Sequence, residues 1–158
     1  MLNLNHLFRL TMLGDLIYEH KGKITGQRVL DAVGGQGEVA AALPKVETTF
    51  SADAKLKGTI SITDTGTYWS IVRPGGRLYG EGQGLYMTKD GSGETATWTG
   101  QGVGRLMQGG RVSYRGSLFF RADDSSTAKM SFLNNIVAVF EYEVDESGNT
   151  TAKVWEWK

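Results

Sequence analysis

The chain contains no cysteine. That excludes a disulfide-stapled scaffold, an iron–sulfur protein, a thiolate zinc site and a cysteine nucleophile. Histidine is almost as scarce: only His6 and His20 occur in 158 residues, with no H-E-x-x-H or other ligand spacing, so no metal site and no cofactor is expected. Neither sign of charge dominates, because 17 Lys+Arg face 17 Asp+Glu. Nothing in that balance asks for nucleic acid or an anionic membrane as partner. No window approaches the ~20 apolar residues of a spanning helix. The opening MLNLNHLFRLTML is interrupted by His6, Arg9 and asparagines, so it holds no secretory core, and the expected location is the cytoplasm. There is no G-x-S-x-G elbow either; Gly116-Ser117 lies inside a predicted strand.

What the chain does have is glycine, 22 residues of it against two prolines. A chain of this size hides roughly 70% of its extended surface, enough for one core without staples. The expectation is a single domain over 1–158, with 1–14 as an N-terminal extension. After Gly14 the sequence is short alternating runs separated by Gly, Asp, Asn and Ser. The runs predict strands near 15–21, 23–32, 45–54, 56–64, 67–73, 78–88, 95–105, 112–121, 133–144 and 150–157. Turns are expected at Lys21-Gly22-Lys23, Asp64-Thr65-Gly66, Pro74-Gly75-Gly76, Asp90 to Gly93, Gln108-Gly109-Gly110 and Glu146 to Asn149. Even positions collect the apolar side chains: Leu16 and Tyr18, Val46 and Phe50, Ile60 and Ile62, Tyr114 and Leu118, Phe140 and Tyr142. One face is therefore buried and the other wet. A meander of eight to ten such strands removes its edges by curling into a closed antiparallel β-barrel; a two-sheet sandwich is the rival architecture.

Two runs read almost alike, Gly80-Glu81-Gly82-Gln83-Gly84 and Gly100-Gln101-Gly102-Val103-Gly104. Spaced by two, their six glycines share one strand face, which Tyr86 and Trp98 continue. Symmetric closure would set Gly84 opposite Gly100, Gly82 opposite Gly102 and Tyr86 opposite Trp98. Each glycine inside a strand gives up roughly 0.5–1 kcal/mol relative to alanine, so sharp bending, overlying rings or a ligand must offset the loss. Tyr114, Trp69 and Phe120 are the candidate rings. A two-residue turn at Gly109-Gly110 would put Glu81, Gln83 and Gln101 inside as a polar cavity; a three-residue turn, the expected one, points the glycines inward and leaves Thr97, Thr99, Gln101, Arg105 and Arg115 in water.

At these residues the sequence resembles the allene oxide cyclase and dirigent barrel group, lipocalin-like closed meanders of eight strands. Gly82-Gln83-Gly84-Leu85-Tyr86 is similar to the QG-x-Y strand of dirigent proteins, and Gly102-Val103-Gly104 with Tyr114-Arg115-Gly116 to their G-x-G-x-F…RG stretch. Together these cover about a quarter of the chain, and the chain looks most like the prokaryotic members of unknown role. The resemblance implies an apolar pocket at one end of the barrel and assembly into homodimers or homotrimers.

A competing motif is Arg28-Val29-Leu30-Asp31-Ala32-Val33-Gly34-Gly35-Gln36-Gly37, which looks like the first motif of Rossmann-type methyltransferases. Its helical stretch, Glu38 to Leu43, stops at Pro44, and no further βα unit follows. Parity points His20 and Arg28 into the lumen beside Tyr18; Arg28 would anchor an acidic head group there or escape to solvent at the rim. Glu141, Glu143 and Asp145 read as a wet face, and Trp155 and Trp157 as a plug, an interface or a sugar platform. The expected site is thus Tyr18, His20, Arg28, Tyr86, Trp98, Tyr114 and Tyr142 around a small, mostly apolar molecule. An isomerase or cyclase using Tyr or His in the same pocket, and an oligomeric structural or interaction protein with a packed lumen, are the alternatives.

Overall fold

In the computed structural model of the chain, which describes residues 13–32 and 44–158, the alternating runs become eight strands. They are β1 (Leu16–Ala32), β2 (Pro44–Leu56), β3 (Ile60–Arg73), β4 (Arg77–Thr88), β5 (Thr95–Leu106), β6 (Val112–Ala122), β7 (Ala138–Val144) and β8 (Asn149–Glu156). Each pairs antiparallel with the next, and β8 returns to β1, so the barrel is closed. Closure leaves the even-numbered apolar face of the meander no place but the lumen.

Ten expected strands became eight because two apparent turns are not turns. Gly22 lies within β1 and Gly66 within β3. Lys-Gly-Lys and Asp-Thr-Gly carry turn composition, yet both glycines are there for close approach. A Cβ on Gly22 would stand 2.4 Å from the Ser51 carbonyl oxygen, and one on Gly66 2.5 Å from the Phe50 ring. The other four expected turns are found, all using glycines with positive φ: Gly75 and Gly76, Gly91 and Gly93, Gly109 and Gly110, and Gly148. The run expected as a strand from 133 instead begins in a 3-10 helix at Ser131–Asn135. With Met130, that helix closes the end of the barrel where β6 finishes, and Met130 and Leu133 are fully buried.

Parity holds along most of the sheet and slips at three register shifts in β1. Tyr18 pairs with Val154 and Leu16 with Trp155, which makes Ile17 the extra residue. Ile17 is therefore buried and Leu16, expected inside, is exposed. A second shift, between Ile24 and Gly26, inverts the face of the residues up to Leu30, and a third falls between Leu30 and Ala32. Trp155 and Trp157 do not plug the barrel: Val154 is the inward residue of β8, and Trp157 is exposed.

The Gly34 to Gly37 loop and residues 38–43 lie outside the described residues, as do residues 1–12 of the expected extension. The strand that leads into that loop runs antiparallel to β2 in a closed barrel, where a Rossmann cofactor site needs a parallel sheet. Among the described residues no helix is long and apolar enough to cross a membrane.

Candidate functional site

The glycine face points inward, as the turn at Gln108–Gly110 requires, with Thr97, Thr99, Gln101, Arg105 and Arg115 exposed. The β4–β5 register differs from symmetric closure by two residues: Gly82 faces Gly100, Gly84 faces Trp98 and Tyr86 faces Ala96. A slip of two keeps every side chain on its expected face, and it sets Phe50, Gly66, Gly84 and Trp98 side by side across β2 to β5. The Trp98 indole lies flat across the two glycines. A Cβ on Gly84 would meet its ring at 2.3 Å, and one on Gly66 at 2.6 Å. The indole then stacks on Phe50, with centroids 6.2 Å apart. Further along, the Phe140 ring lies over Gly116 and Gly102, and the Tyr114 ring lies against Gly104. Overlying rings therefore offset the lost strand propensity, but Trp98 and Phe140 carry most of that role. Trp69, a candidate for it, sits on the outer face beside Tyr79 and under the Lys45 ammonium.

What the rings leave free is a cavity of about 80 Å³. Its wall includes Tyr18, His20, Phe50, Asp64, Tyr68, Tyr86, Trp98, Tyr114, Phe140 and Tyr142, with the backbone of Gly80, Gly82, Gly100 and Gly102. Six of the seven expected site residues lie on it: Tyr18, His20, Tyr86, Trp98, Tyr114 and Tyr142. Arg28 does not. The bulge after Ile24 turns it outward, where its Nε donates to Glu47 Oε1 at 2.7 Å in an exposed pair. With it goes the anchor for an acidic head group. Among the described residues no lysine or arginine is buried.

Sequence reasoning missed Phe50, Tyr68 and Phe140 on this wall and, above all, Asp64, taken for part of a turn. It is 3% exposed and faces the lumen from the middle of β3. Tyr18 donates its hydroxyl hydrogen to Asp64 Oδ2 at 2.5 Å, and Trp98 Nε1–H donates to Oδ1 at 2.9 Å. Having one hydrogen, the Tyr18 hydroxyl can only accept from His20 Nδ1, 2.6 Å away. That assigns the Nδ1–H form of the ring, with Nε2 bonded to Thr150 Oγ1 at 3.1 Å. The result is one continuous buried chain, Asp64–Tyr18–His20–Thr150, crossing from β3 to β1 to β8. Its signal was available in the sequence: Asp64 sits at an even position between Ile62 and Gly66, in phase with the buried face.

Burial raises the pKa of the phenols in this wall. Desolvation pushes Tyr18, Tyr86 and Tyr142 well up, and Tyr114 to about 12. In each case loss of water around the phenolate is the largest cause, and for Tyr18, Tyr86 and Tyr142 the Asp64 carboxylate adds to it. At neutral pH the tyrosines are hydrogen-bond donors and not bases. No group of three or more His, Asp or Glu placed to hold a metal occurs among the described residues.

No protein-family model matches the chain. No curated protein matches it either. Solved structures do. A conserved protein of unknown function from Rhodopseudomonas palustris superposes with a TM-score of 0.70 at 14% identity, covering 94% of this chain and 99% of its own. A protein with unknown function from Clostridium acetobutylicum ATCC 824 gives 0.69 at 13%, covering 91% and 98%. A β-barrel-like protein from Acinetobacter baumannii AYE gives 0.69 at 14%, covering 91% and 94%. At these identities the likeness shows the fold, a small barrel recurring in bacterial proteins of unknown function.

Proposed function

We propose that the barrel binds one small, uncharged, mostly apolar molecule in its lumen. The observation that carries this reading is the apolar cavity with a buried carboxylate in its wall. Burying a carboxylate costs several kcal/mol before its hydrogen bonds are counted, and an interior built for packing alone is served as well by apolar side chains. The guest is compact. Eighty cubic ångströms lies well below the ~300–1,000 Å³ of drug-sized sites and is about half the ~150 Å³ of an apolar cavity that holds benzene. It is uncharged because among the described residues no lysine or arginine is buried to balance an anion, Asp64 repels one, and both Asp64 oxygens are taken by Tyr18 and Trp98 and not left open to a cation.

The wider reading is a cytoplasmic binding protein of the allene oxide cyclase barrel type that assembles as a homodimer or homotrimer, with no nucleic acid or membrane as partner. The closed eight-stranded meander supports the kinship. Exposed Leu16, Val137 and Trp157 support an assembly surface. A second reading, an isomerase or cyclase, draws on the Asp64–Tyr18–His20 chain, which could pass a proton along three linked groups. Binding ranks first because those polar atoms already bond to one another.

Native mass spectrometry after gentle purification tests the proposal. The expected result is a small neutral mass carried by the folded chain and released on denaturation. Bare chain mass, together with failure of small organic probes to perturb the NMR signals of lumen residues, would leave a packed structural barrel instead.

A further inference from the structure

Resting on the reading of the lumen as a ligand site, we infer that Tyr86 is the group that orients the guest, donating a hydrogen bond from its hydroxyl to an uncharged acceptor oxygen such as a ketone or aldehyde carbonyl. The hydrogen-bonding groups of the wall are otherwise engaged. Tyr18, His20, Asp64 and Trp98 bond to one another, the Tyr142 hydroxyl approaches that of Tyr68 at 3.4 Å, and the Tyr114 hydroxyl is engaged by the Ser70 side chain. Tyr86 is the exception: it is 99% buried, at 1% exposure, and among the described residues its hydroxyl has no hydrogen-bond partner.

The hydroxyl is nevertheless not sealed in protein, since among the described residues no fully enclosed side-chain polar atom lacks a partner, and Tyr86 is one of the residues that line the cavity. Its ring is fixed. It stacks on Tyr18 with centroids 5.2 Å apart and planes 13° from parallel, and packs on Phe120 at 5.9 Å. A fixed phenol that keeps its proton is a donor aimed at one place, and an unpaired buried donor is costly until something accepts from it. The nearby Asp64 carboxylate sets the charge of that acceptor. A carboxylate guest would add a second negative charge to the lumen, whereas a carbonyl oxygen accepts without one.

Acetone and 2-methylpropene have nearly the same shape and differ in the acceptor, so they separate this inference from simple filling of the cavity. NMR titrations of both into the wild-type chain and Tyr86→Phe, with the carbonyl carbon of acetone labelled, give affinities and the polarisation of the bound carbonyl. The variant deletes only an unpaired hydroxyl and is expected to fold. The carbonyl carbon of acetone bound to the wild type should lie downfield of that of acetone bound to Tyr86→Phe. In the variant acetone should also bind about three- to tenfold more weakly, with 2-methylpropene unchanged. Acetate should not bind. If both probes bind and Tyr86→Phe affects them alike, or acetate binds as well as acetone, the assignment of Tyr86 is overturned while the lumen remains a ligand site. If neither probe enters the wild-type lumen, the ligand reading itself fails.

Discussion

Gly84→Ala is the perturbation that most sharply separates a glycine used for strand flexibility from one used for close approach. Adding a Cβ in a strand should by itself stabilise the chain by about 0.5–1 kcal/mol. Here that Cβ would stand 2.3 Å from the Trp98 indole, at Nε1 and Cε2. The ring cannot swing clear, because Gly66 backbone and the Phe50 ring bound it on the other side. Overpacking of this kind costs about 1–3 kcal/mol. Displacing Nε1 also breaks the Trp98–Asp64 hydrogen bond of 2.9 Å, and a bond to a charged group is worth about 1.5–3 kcal/mol. The net expectation is a loss of about 2–5 kcal/mol, or roughly 4–20 °C in Tm for a chain of this length. Urea denaturation with near-UV circular dichroism reads both the stability and the indole environment. Thr99→Ala, on the wet face beside Trp98, is the control and should stay within about 0.5 kcal/mol. A neutral or stabilised Gly84→Ala would refute the claim that the indole rests on the bare strand.

Three further outcomes follow from the same geometry. Asp64→Ala should cost about 2–4 kcal/mol in chemical denaturation, because it leaves the Tyr18 hydroxyl and the Trp98 N–H without their acceptor. Arg28→Ala should change stability by less than about 0.5 kcal/mol and leave the lumen signals in NMR untouched, since its pair with Glu47 is exposed. At alkaline pH the buried phenols stay protonated in the folded chain while the unfolded chain ionises near 10.0. Each such tyrosine therefore contributes stability that is whole below about pH 10 and falls by about 1.4 kcal/mol per pH unit above it. Phenolate absorbance should thus rise late and together with unfolding; a smooth rise centred on pH 10 in a chain that stays folded would contradict the burial of these rings.

The fold was legible because its two main signals are local. Alternation in β2, β6 and β7 marks the buried face, and Pro74-Gly75-Gly76 or Gln108-Gly109-Gly110 can hardly be anything but turns. Glycine inside a strand is ambiguous, since the same residue serves a turn and a close approach. Gly22 and Gly66 were misread for that reason, and Asp64 was lost with Gly66. Arg28 was misplaced for a different one: a single extra residue after Ile24 leaves no mark in the composition, yet it inverts the strand face. The aromatic members of the site survived both errors, because a register slip of two in the β4–β5 hairpin preserves parity.

Xenon bound under pressure, located in a crystal or read by its NMR shift, probes the lumen without needing to know its natural occupant. The account predicts a xenon atom held between Trp98, Phe140 and Tyr142, on the side of the glycine strip. A lumen that takes up no xenon at saturating pressure, in a chain that is folded and closed, would contradict the claim that the bare strand leaves room for a guest.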